Sequence, residues 1–279
     1  MNRTIATEYF TELAARAGAG FLRNTLRKNG LTCNTCTVPV EPHYPICYKC
    51  KQTRDIAGQI GANIANLVVP LSYAIDGTQS GHLMYSYKTM AATRAGIEQL
   101  KLLCQIGLVM HWPCIQSIVG RPITAWTTVP STRTRGSTDH LRSIAQPAIN
   151  ELLIHHKATG QSADLTELRL VTGPGFQEKP RKLIPEMWLP SFDTDFSGHH
   201  VLLVEDTWVT GGNAQSTAAS LRSNGAQAVT VLTLTRWLNP KTKLVSEFIS
   251  SNLSHRDYNL FSCPATASDC HLEILNHSI

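Results

Sequence analysis

The chain lacks the signatures of several large functional classes. It has no Gly-x-Gly-x-x-Gly for a dinucleotide and no Gly-Lys-Ser/Thr for a nucleoside triphosphate loop. It has no long run of Lys or Arg, and a formal net charge of +5 over 279 residues falls short of a dedicated nucleic-acid binder while suiting polyphosphate ligands. No apolar segment approaches the roughly 20 residues that span a bilayer. Residues 1–30 carry Arg3, Glu8, Glu12, Arg16, Arg23, Arg27 and Lys28 where a secretory signal would have an apolar core. These absences set the expectation of a soluble, cytoplasmic protein with no membrane partner. No internal repeat or low-complexity tract points to a solenoid or a disordered linker.

What is present is an ordinary globular composition, 42% apolar, in a length that suits one α/β domain with a small appendage and extensions. Its most informative stretch is His199-His200-Val201-Leu202-Leu203-Val204-Glu205-Asp206-Thr207-Trp208-Val209-Thr210-Gly211-Gly212-Asn213. An apolar run ending in two carboxylates and a Thr-Gly-Gly turn reads as a buried strand that delivers acids and a phosphate cradle to one sheet edge. Ala214, Thr217, Ala218 and Leu221 continue at helical spacing, Asn224-Gly225 stops the helix, and Val229 to Leu234 forms a second strand. Gly211 and Gly212 permit close backbone approach, and the first amides of the helix carry the positive end of its dipole. Glu205 and Asp206 can accept from a pair of sugar hydroxyls or hold hydrated magnesium. A phosphate cradle beside a diol acceptor describes a site for ribose 5-phosphate. The competing reading is a plain buried strand whose acids cap the next helix.

This segment resembles the signature of type I phosphoribosyltransferases. The resemblance implies that Glu205 and Asp206 contact the ribose hydroxyls of phosphoribosyl pyrophosphate, and that the turn from Thr207 through Thr210, Gly211, Gly212 and Asn213 holds its 5-phosphate. Asn213 stands where the family often has Thr or Ser.

Near the N-terminus, Cys33-x2-Cys36 is followed after ten residues by Cys47-x2-Cys50. Two close thiolate pairs suit a closed tetrahedral zinc site of structural type. Disulfides and an iron–sulfur cluster are the alternatives. Cys104, Cys114, Cys263 and Cys270 show no ligand spacing and read as small buried hydrophobes. The finger followed by a phosphoribosyltransferase motif resembles the ComF-like branch, which is associated with DNA uptake. Asp76-Gly77-Thr78, Met84-Tyr85-Ser86-Tyr87-Lys88 and Val129-Pro130-Ser131-Thr132-Arg133-Thr134-Arg135-Gly136 also resemble segments of that branch. By that resemblance the last is the pyrophosphate loop. Ser131 and Thr132 would supply hydroxyls and amides, Arg133 and Arg135 charge-assisted donors to the leaving group. A solvated basic turn is the alternative. The continuation Ser137-Thr138-Asp139-His140 departs from the branch's usual Phe-Asn-Gln.

The organisation expected is an N-terminal helical segment over residues 1–30 with an amphipathic helix over 5–28, the finger over 31–52, the transferase-like domain over 53–238 and a C-terminal extension over 239–279 with no assigned role. Within the domain, helices are expected over Arg54–Asn66, Ala91–Leu108 and Ala145–His156, and a strand over Leu67–Leu71. The stretch from Gly173-Pro174-Gly175 to Pro180-Arg181-Lys182 reads as a loop, either a lid over the reacting centre or a passive surface segment. Trp208 inside the turn either packs or stacks on an incoming base. His199 and His200, adjacent on a strand, point to opposite faces and do not share a metal.

The fold class expected is α/β, a mainly parallel sheet flanked by helices, with the ligand at the carboxyl ends of the strands. The function implied is transfer of ribose 5-phosphate from phosphoribosyl pyrophosphate, with magnesium, to a small nitrogen nucleophile. Glu205, Asp206, Arg133 and Arg135 would carry the chemistry electrostatically. The alternative is a non-catalytic sensor of the same ligand or an adaptor with a DNA-handling partner; a homodimer is compatible with either. A DNA-binding finger on an inert domain fits less well, because Lys49 and Lys51 are the only cations beside the second Cys pair.

Overall fold

The computed structural model describes residues 3–18, 20–131, 139–161, 164–178 and 182–266. Its helices are α1 (Arg3–Ala17), α2 (Tyr48–Ile60), α3 (Gln79–Ser86), α4 (Arg94–Val119), α5 (Arg142–Ala158), α6 (Gly212–Ser223) and α7 (Lys243–Asn252). The strands are β1 (Leu67–Ile75), β2 (Ala125–Thr128), β3 (Thr166–Glu167), β4 (Leu170–Thr172), β5 (Trp188–Pro190), β6 (His200–Trp208) and β7 (Ala228–Leu238). Five strands form one parallel sheet in the order β1-β7-β6-β2-β3, and β4 and β5 form a separate antiparallel pair. The α/β class expected from the sequence is the one found.

Alternation along the strands divides the core in two. Leu202, Val204, Leu232, Leu234, Val69 and Leu71 face the layer of α1, α4 and α5. Val201, Leu203, Val229, Val231 and Val68 face the opposite layer, where they meet Ala214, Ala218 and Leu221 of α6 and Cys33, Cys36 and Cys50 of the finger. Near-continuous apolar strands are what a sheet covered on both faces requires. The crossovers through α5 and α6 leave the sheet centre in opposite directions and on opposite faces, so the chain reverses its winding between β2 and β6. Loops diverge there at the carboxyl ends of the strands and leave a crevice.

Several boundaries differ from the sequence expectation. The first helix ends at Ala17, not near residue 28, because Gly18 turns the chain with φ of 102°. The chain then runs along the outer edge of β1, where Tyr73 N donates to Arg23 O and Thr25 Oγ1 donates to Pro70 O. That edge tolerates Pro70, which has no N–H to give. The helix expected from Arg54 starts at Tyr48, inside the finger, and stops at Gly61.

The expectation that no segment is apolar and long enough to span a bilayer is also corrected. Helix α4 has 26 residues and an 18-residue window of mean hydropathy 1.5. It is a core helix: Leu100, Leu103, Ile106, Leu108 and Ile115 are fully buried against α1, α5 and the sheet. The helix runs from Arg94 to Val119, eleven residues past the expected end at Leu108, because packing carries it through Pro113, which removes only one helical hydrogen bond.

The C-terminal extension is structural as far as residue 266. Phe248 of α7 meets Tyr73 edge-on, and Tyr258, Leu260 and Cys263 join the core. Asn259 exchanges two hydrogen bonds with Asn24, and Arg27 Nε donates to Pro264 O. The stretch expected as a loop from Gly173 to Lys182 is one as far as residue 178, and it is anchored where Gly173 N and Gly175 N donate to Met187 O and Glu186 O; Pro180 and Arg181 lie outside the described residues.

Helix α3 begins directly over the end of β1, because Gly81 has no side chain. A Cβ there would stand 2.3 Å from Ile75 O, a backbone atom with no freedom to retreat. Gly81→Ala should therefore lower stability by about 1–3 kcal/mol in urea unfolding, with m unchanged. An unchanged midpoint would mean that α3 is free to lift from the strand.

Candidate ligand-binding site

The crevice between β2 and β6 collects the features that the sequence singled out. Strand β6 pairs on both sides, Thr128↔Val204 with β2 and Glu205↔Thr233 with β7, so Glu205 and Asp206 emerge one step beyond the end of β2. Val129 N donates to Val204 O at 2.8 Å, which sets the Val129-Pro130-Ser131 segment beside them. Asn213 Nδ2 reaches Pro130 O at 3.5 Å and bridges the two loops, while Asn213 Oδ1 is buried without a partner among the described residues. Thr132, Arg133 and Arg135 lie outside the described residues.

The acid pair is held by two residues that sequence reasoning left out of the site. Tyr87 Oη donates to Asp206 Oδ2 at 2.5 Å, and Lys88 Nζ forms an ion pair with the same oxygen. Both follow α3, which Gly81 seats on β1. The signal was present in the sequence as the aromatic–Lys pair of the segment before α4, but spacing alone did not connect it to residue 206. Thr207 N donates to Asp206 Oδ1 at 2.7 Å. Burial raises the Asp206 carboxyl, but Lys88, Tyr87 and Glu205 outweigh it and leave Asp206 below the ordinary carboxylate value. Glu205 is pushed well above that value, by burial first and then by the charge of Asp206. The two neighbouring carboxyl groups are thus pushed in opposite directions, Asp206 toward the ionised form and Glu205 toward the protonated one.

The turn after β6 is built to present backbone. Gly211 adopts φ of 79°, which L side chains rarely take, and no side chain caps the helix that follows. The first amides of α6 are therefore left for a ligand. Thr210 Oγ1 accepts from Gly212 N only at 3.5 Å. Trp208 is 2% exposed and packs under the turn, so it is a support and not a stacking platform. A Cβ on Gly211 would stand 2.2 Å from Trp208 Cζ2, so the glycine is required by the protein's own packing before any ligand arrives.

Ser216 and Ser220 of α6 bind the chain returning from the β4–β5 pair: Ile184 N donates to Ser216 Oγ at 2.9 Å and Ser220 Oγ donates to Pro185 O at 2.5 Å. His199 and His200 serve the fold, with Thr124 Oγ1 2.9 Å from His199 Nδ1 and Thr230 Oγ1 2.9 Å from His200 Nε2.

The finger forms a second centre against the same face. The sulfur atoms of Cys33, Cys36, Cys47 and Cys50 all lie within 4.8 Å of one another, and Cys36 Sγ and Cys47 Sγ are 3.8 Å apart. Tetrahedral coordination with metal–sulfur bonds of about 2.3 Å requires sulfur separations near ~3.8 Å, so the four thiols fit a single metal ion. Cys47 precedes α2 and Cys50 lies in its first turn, whereas Cys33 and Cys36 lie on a knuckle closed by Cys33 N to Val38 O and Thr37 N to Cys33 O. Cys50 and Trp208 line one small cavity with Gln215, which places the finger directly behind the turn.

No protein-family model matches the chain, and no curated protein matches it in sequence. Among solved structures it is similar to a hypoxanthine phosphoribosyltransferase from Staphylococcus aureus, at 13% identity over 49% of this chain and 64% of that one, with a TM-score of 0.31. It is similar also to the adenine phosphoribosyltransferase of Leishmania donovani, at 19% identity over 59% and 64% of the two chains and a TM-score of 0.33. For the Leishmania tarentolae enzyme the values are 17%, 62%, 75% and 0.35. The alignment spans less than two thirds of the length of the first two. At such values the likeness carries no argument, and the functional reading rests on this chain's own residues.

The raised Glu205 carboxyl has a measurable consequence. The folded state keeps a proton that the unfolded chain releases above the ordinary Glu value, so this group's contribution to stability falls as pH rises through that window. Glu205→Gln, which cannot ionise, should be more stable than the parent at pH 8, with the advantage shrinking toward pH 4 in urea unfolding. A pH-independent difference between the two would show that Glu205 is already ionised in the folded protein.

Proposed function

We propose that the chain is a phosphoribosyltransferase that binds phosphoribosyl pyrophosphate with magnesium and passes ribose 5-phosphate to a small nitrogen nucleophile. The observation that carries this reading is the acid pair at the end of β6 running directly into an uncapped, left-handed glycine turn, in the crevice where the winding of the sheet reverses. A phosphate on the first amides of α6 and a ribose diol on Asp206 and Glu205 would lie on either side of the short turn that joins β6 to α6. Asp206, ionised and held by Tyr87 and Lys88, is a fixed acceptor for a hydroxyl.

The reaction breaks the bond from the anomeric carbon to the pyrophosphate oxygen, which leaves with the electron pair. The nitrogen donates its lone pair to that carbon and releases its proton to solvent. Lys88, half-exposed at the crevice, and Arg133 and Arg135, which follow Pro130 in the sequence, would supply positive charge for the leaving pyrophosphate. Magnesium, bound with the ligand by Glu205 and Asp206, would add charge neutralisation. The position of Ser131 and Thr132 after Val129-Pro130 suits backbone and hydroxyl donation to the same group.

The four-thiol centre is assigned to zinc, held as a closed structural site. Protein purified without added metal should contain one zinc per chain by elemental analysis, and chelation should release it with loss of order first in the finger, where binding energy is folding energy. Disulfides, or a folded protein without metal, would refute the assignment.

For the ligand site, Asp206→Asn should weaken phosphoribosyl pyrophosphate binding by about 1.5–3 kcal/mol in titration calorimetry, the worth of a hydrogen bond to a charged group. Replacing Arg133 and Arg135 together with Gln should spare ribose 5-phosphate and sharply weaken the pyrophosphate-bearing ligand. Equal loss for both ligands would make the loop's role structural, and pyrophosphate release with a panel of nitrogen nucleophiles decides between turnover and a sensor.

A further inference from the structure

Arg236 is left unexplained by the chemistry above. It lies in the interior strand β7, in register with Trp208, and is 6% exposed. Guanidinium does not shed its charge, so a buried one needs a countercharge nearby. The ion pairs among the described residues join Lys51 to Asp55, Lys88 to Asp206, Arg142 to Glu167 and Lys243 to Glu247, and none involves Arg236. Its Nη1 donates to Trp208 O and to Trp237 O, each at 2.7 Å, and its Nε is buried without a partner among the described residues.

The anion on the same face of the sheet is the finger. The ladder sets Arg236 between Tyr73, whose Oη donates to Thr37 O on the knuckle at 2.7 Å, and Trp208, which lines a small cavity with Cys50. Four thiolates around one divalent ion carry a net charge of about minus two. Arg27 donates Nη1 to Asn34 O at 2.9 Å on the same knuckle. Two guanidiniums against a doubly negative metal–thiolate centre leave the region close to neutral, which is the condition for burying it.

We propose that Arg236 is a positioning residue that couples the metal centre to the phosphate turn. The centre's negative charge holds the guanidinium, the guanidinium holds the Trp208 carbonyl, and the Trp208 ring supports Gly211 from below. On metal loss the four thiolates take up protons at neutral pH, which leaves the buried cation without its countercharge and releases the end of β6, so zinc occupancy sets the affinity of the turn for its phosphate. This rests on the ligand reading given above, and linkage requires the converse as well: ligand binding must tighten zinc.

The test uses the full chain, loaded with zinc or stripped by a chelator. Hydrogen exchange at residues 208–215 reports the turn without reference to ligand, and phosphoribosyl pyrophosphate titration reports affinity. Stripping should speed exchange there and weaken the ligand by about ten-fold or more, and zinc should restore both. Arg236→Gln should bind zinc less tightly and show exchange at the turn that no longer responds to zinc. Arg236→Lys, which keeps the charge but loses the planar fork, should retain zinc while the turn exchanges faster; it decides the matter if the Gln variant does not fold or if stripping unfolds the whole chain. Exchange that changes only over residues 31–52 on stripping, or a turn in Arg236→Lys as protected as in the parent, would overturn the coupling. A zinc-loaded parent that binds no phosphoribosyl pyrophosphate would reject the functional reading, while the exchange result still decides the coupling.

Discussion

Two carboxyl groups buried side by side at the end of a central strand impose the constraint that shapes this crevice. Both cannot ionise there without compensation. The chain resolves the conflict asymmetrically: Tyr87 and Lys88 converge on Asp206, while burial and the charge of Asp206 push the Glu205 carboxyl well above its ordinary value. Compensation from α3 demands that α3 sit close over β1, which explains why Gly81 meets Ile75 O with no room for a side chain. The same demand explains why β1 runs on to Ile75, four residues past Leu71, since the strand must reach the level of the acids before α3 can turn back over them. A ligand that brings a diol or a cation to Glu205 changes the balance, because the ionised form of that carboxyl then gains a partner. Binding and proton release are therefore linked at this site.

The parts legible in the sequence are those in which local pattern and tertiary role agree. The run from His200 to Trp208, the helix after Gly211 and the strand from Ala228 announce themselves by apolar period and glycine placement, and all three appear at or near the expected bounds. The Cys33 to Cys50 spacing likewise carried through to a cluster of four converging sulfur atoms. What was illegible depends on contacts between distant segments. Nothing local tells that Tyr87 and Lys88 meet Asp206, 119 and 118 positions away, or that the tail at Asn259 clasps Asn24. Helix α4 was underestimated because the apolar–polar alternation that announces it ends near Leu108, whereas packing of Trp112 and Ile115 in the core carries it to Val119 despite the hydrogen bond lost at Pro113. The N-terminal helix was overestimated for the opposite reason: helical spacing continues past Gly18, but the edge of β1 offers residues 23–25 better partners than another helical turn does.

The finger and the ligand crevice are two faces of one apolar layer. Cys33, Cys36 and Cys50 belong to the same buried cluster as Trp208, Ala214 and Ala218, so the finger is part of the wall that supports the turn and α6. A small finger of about twenty residues cannot bury enough apolar surface to hold itself together. Here it borrows the sheet face for its core, and its four converging thiols are able to close it around a metal. The dependence runs both ways, because without the finger the α6 side of the sheet around Val68 and Trp208 would open to water.

A phosphate cradle made of backbone has no side chain of its own to hold it in shape. Gly211 must stay in the left-handed region, and glycine is the residue with the most conformational freedom to lose on folding. The restraint has to come from below, and Trp208 supplies it with a fully buried ring whose position leaves no space for a Cβ on Gly211. Trp208 is fixed in turn by its ladder position against Arg236 and by the hydrogen bond from that guanidinium to its carbonyl. Each step inward from the turn exchanges a mobile group for one with fewer alternatives: glycine, then an indole, then a strand, then four converging thiols. The amides at the start of α6 are held in place by rigidity inherited from the interior, with no side chain spent in the crevice to do it.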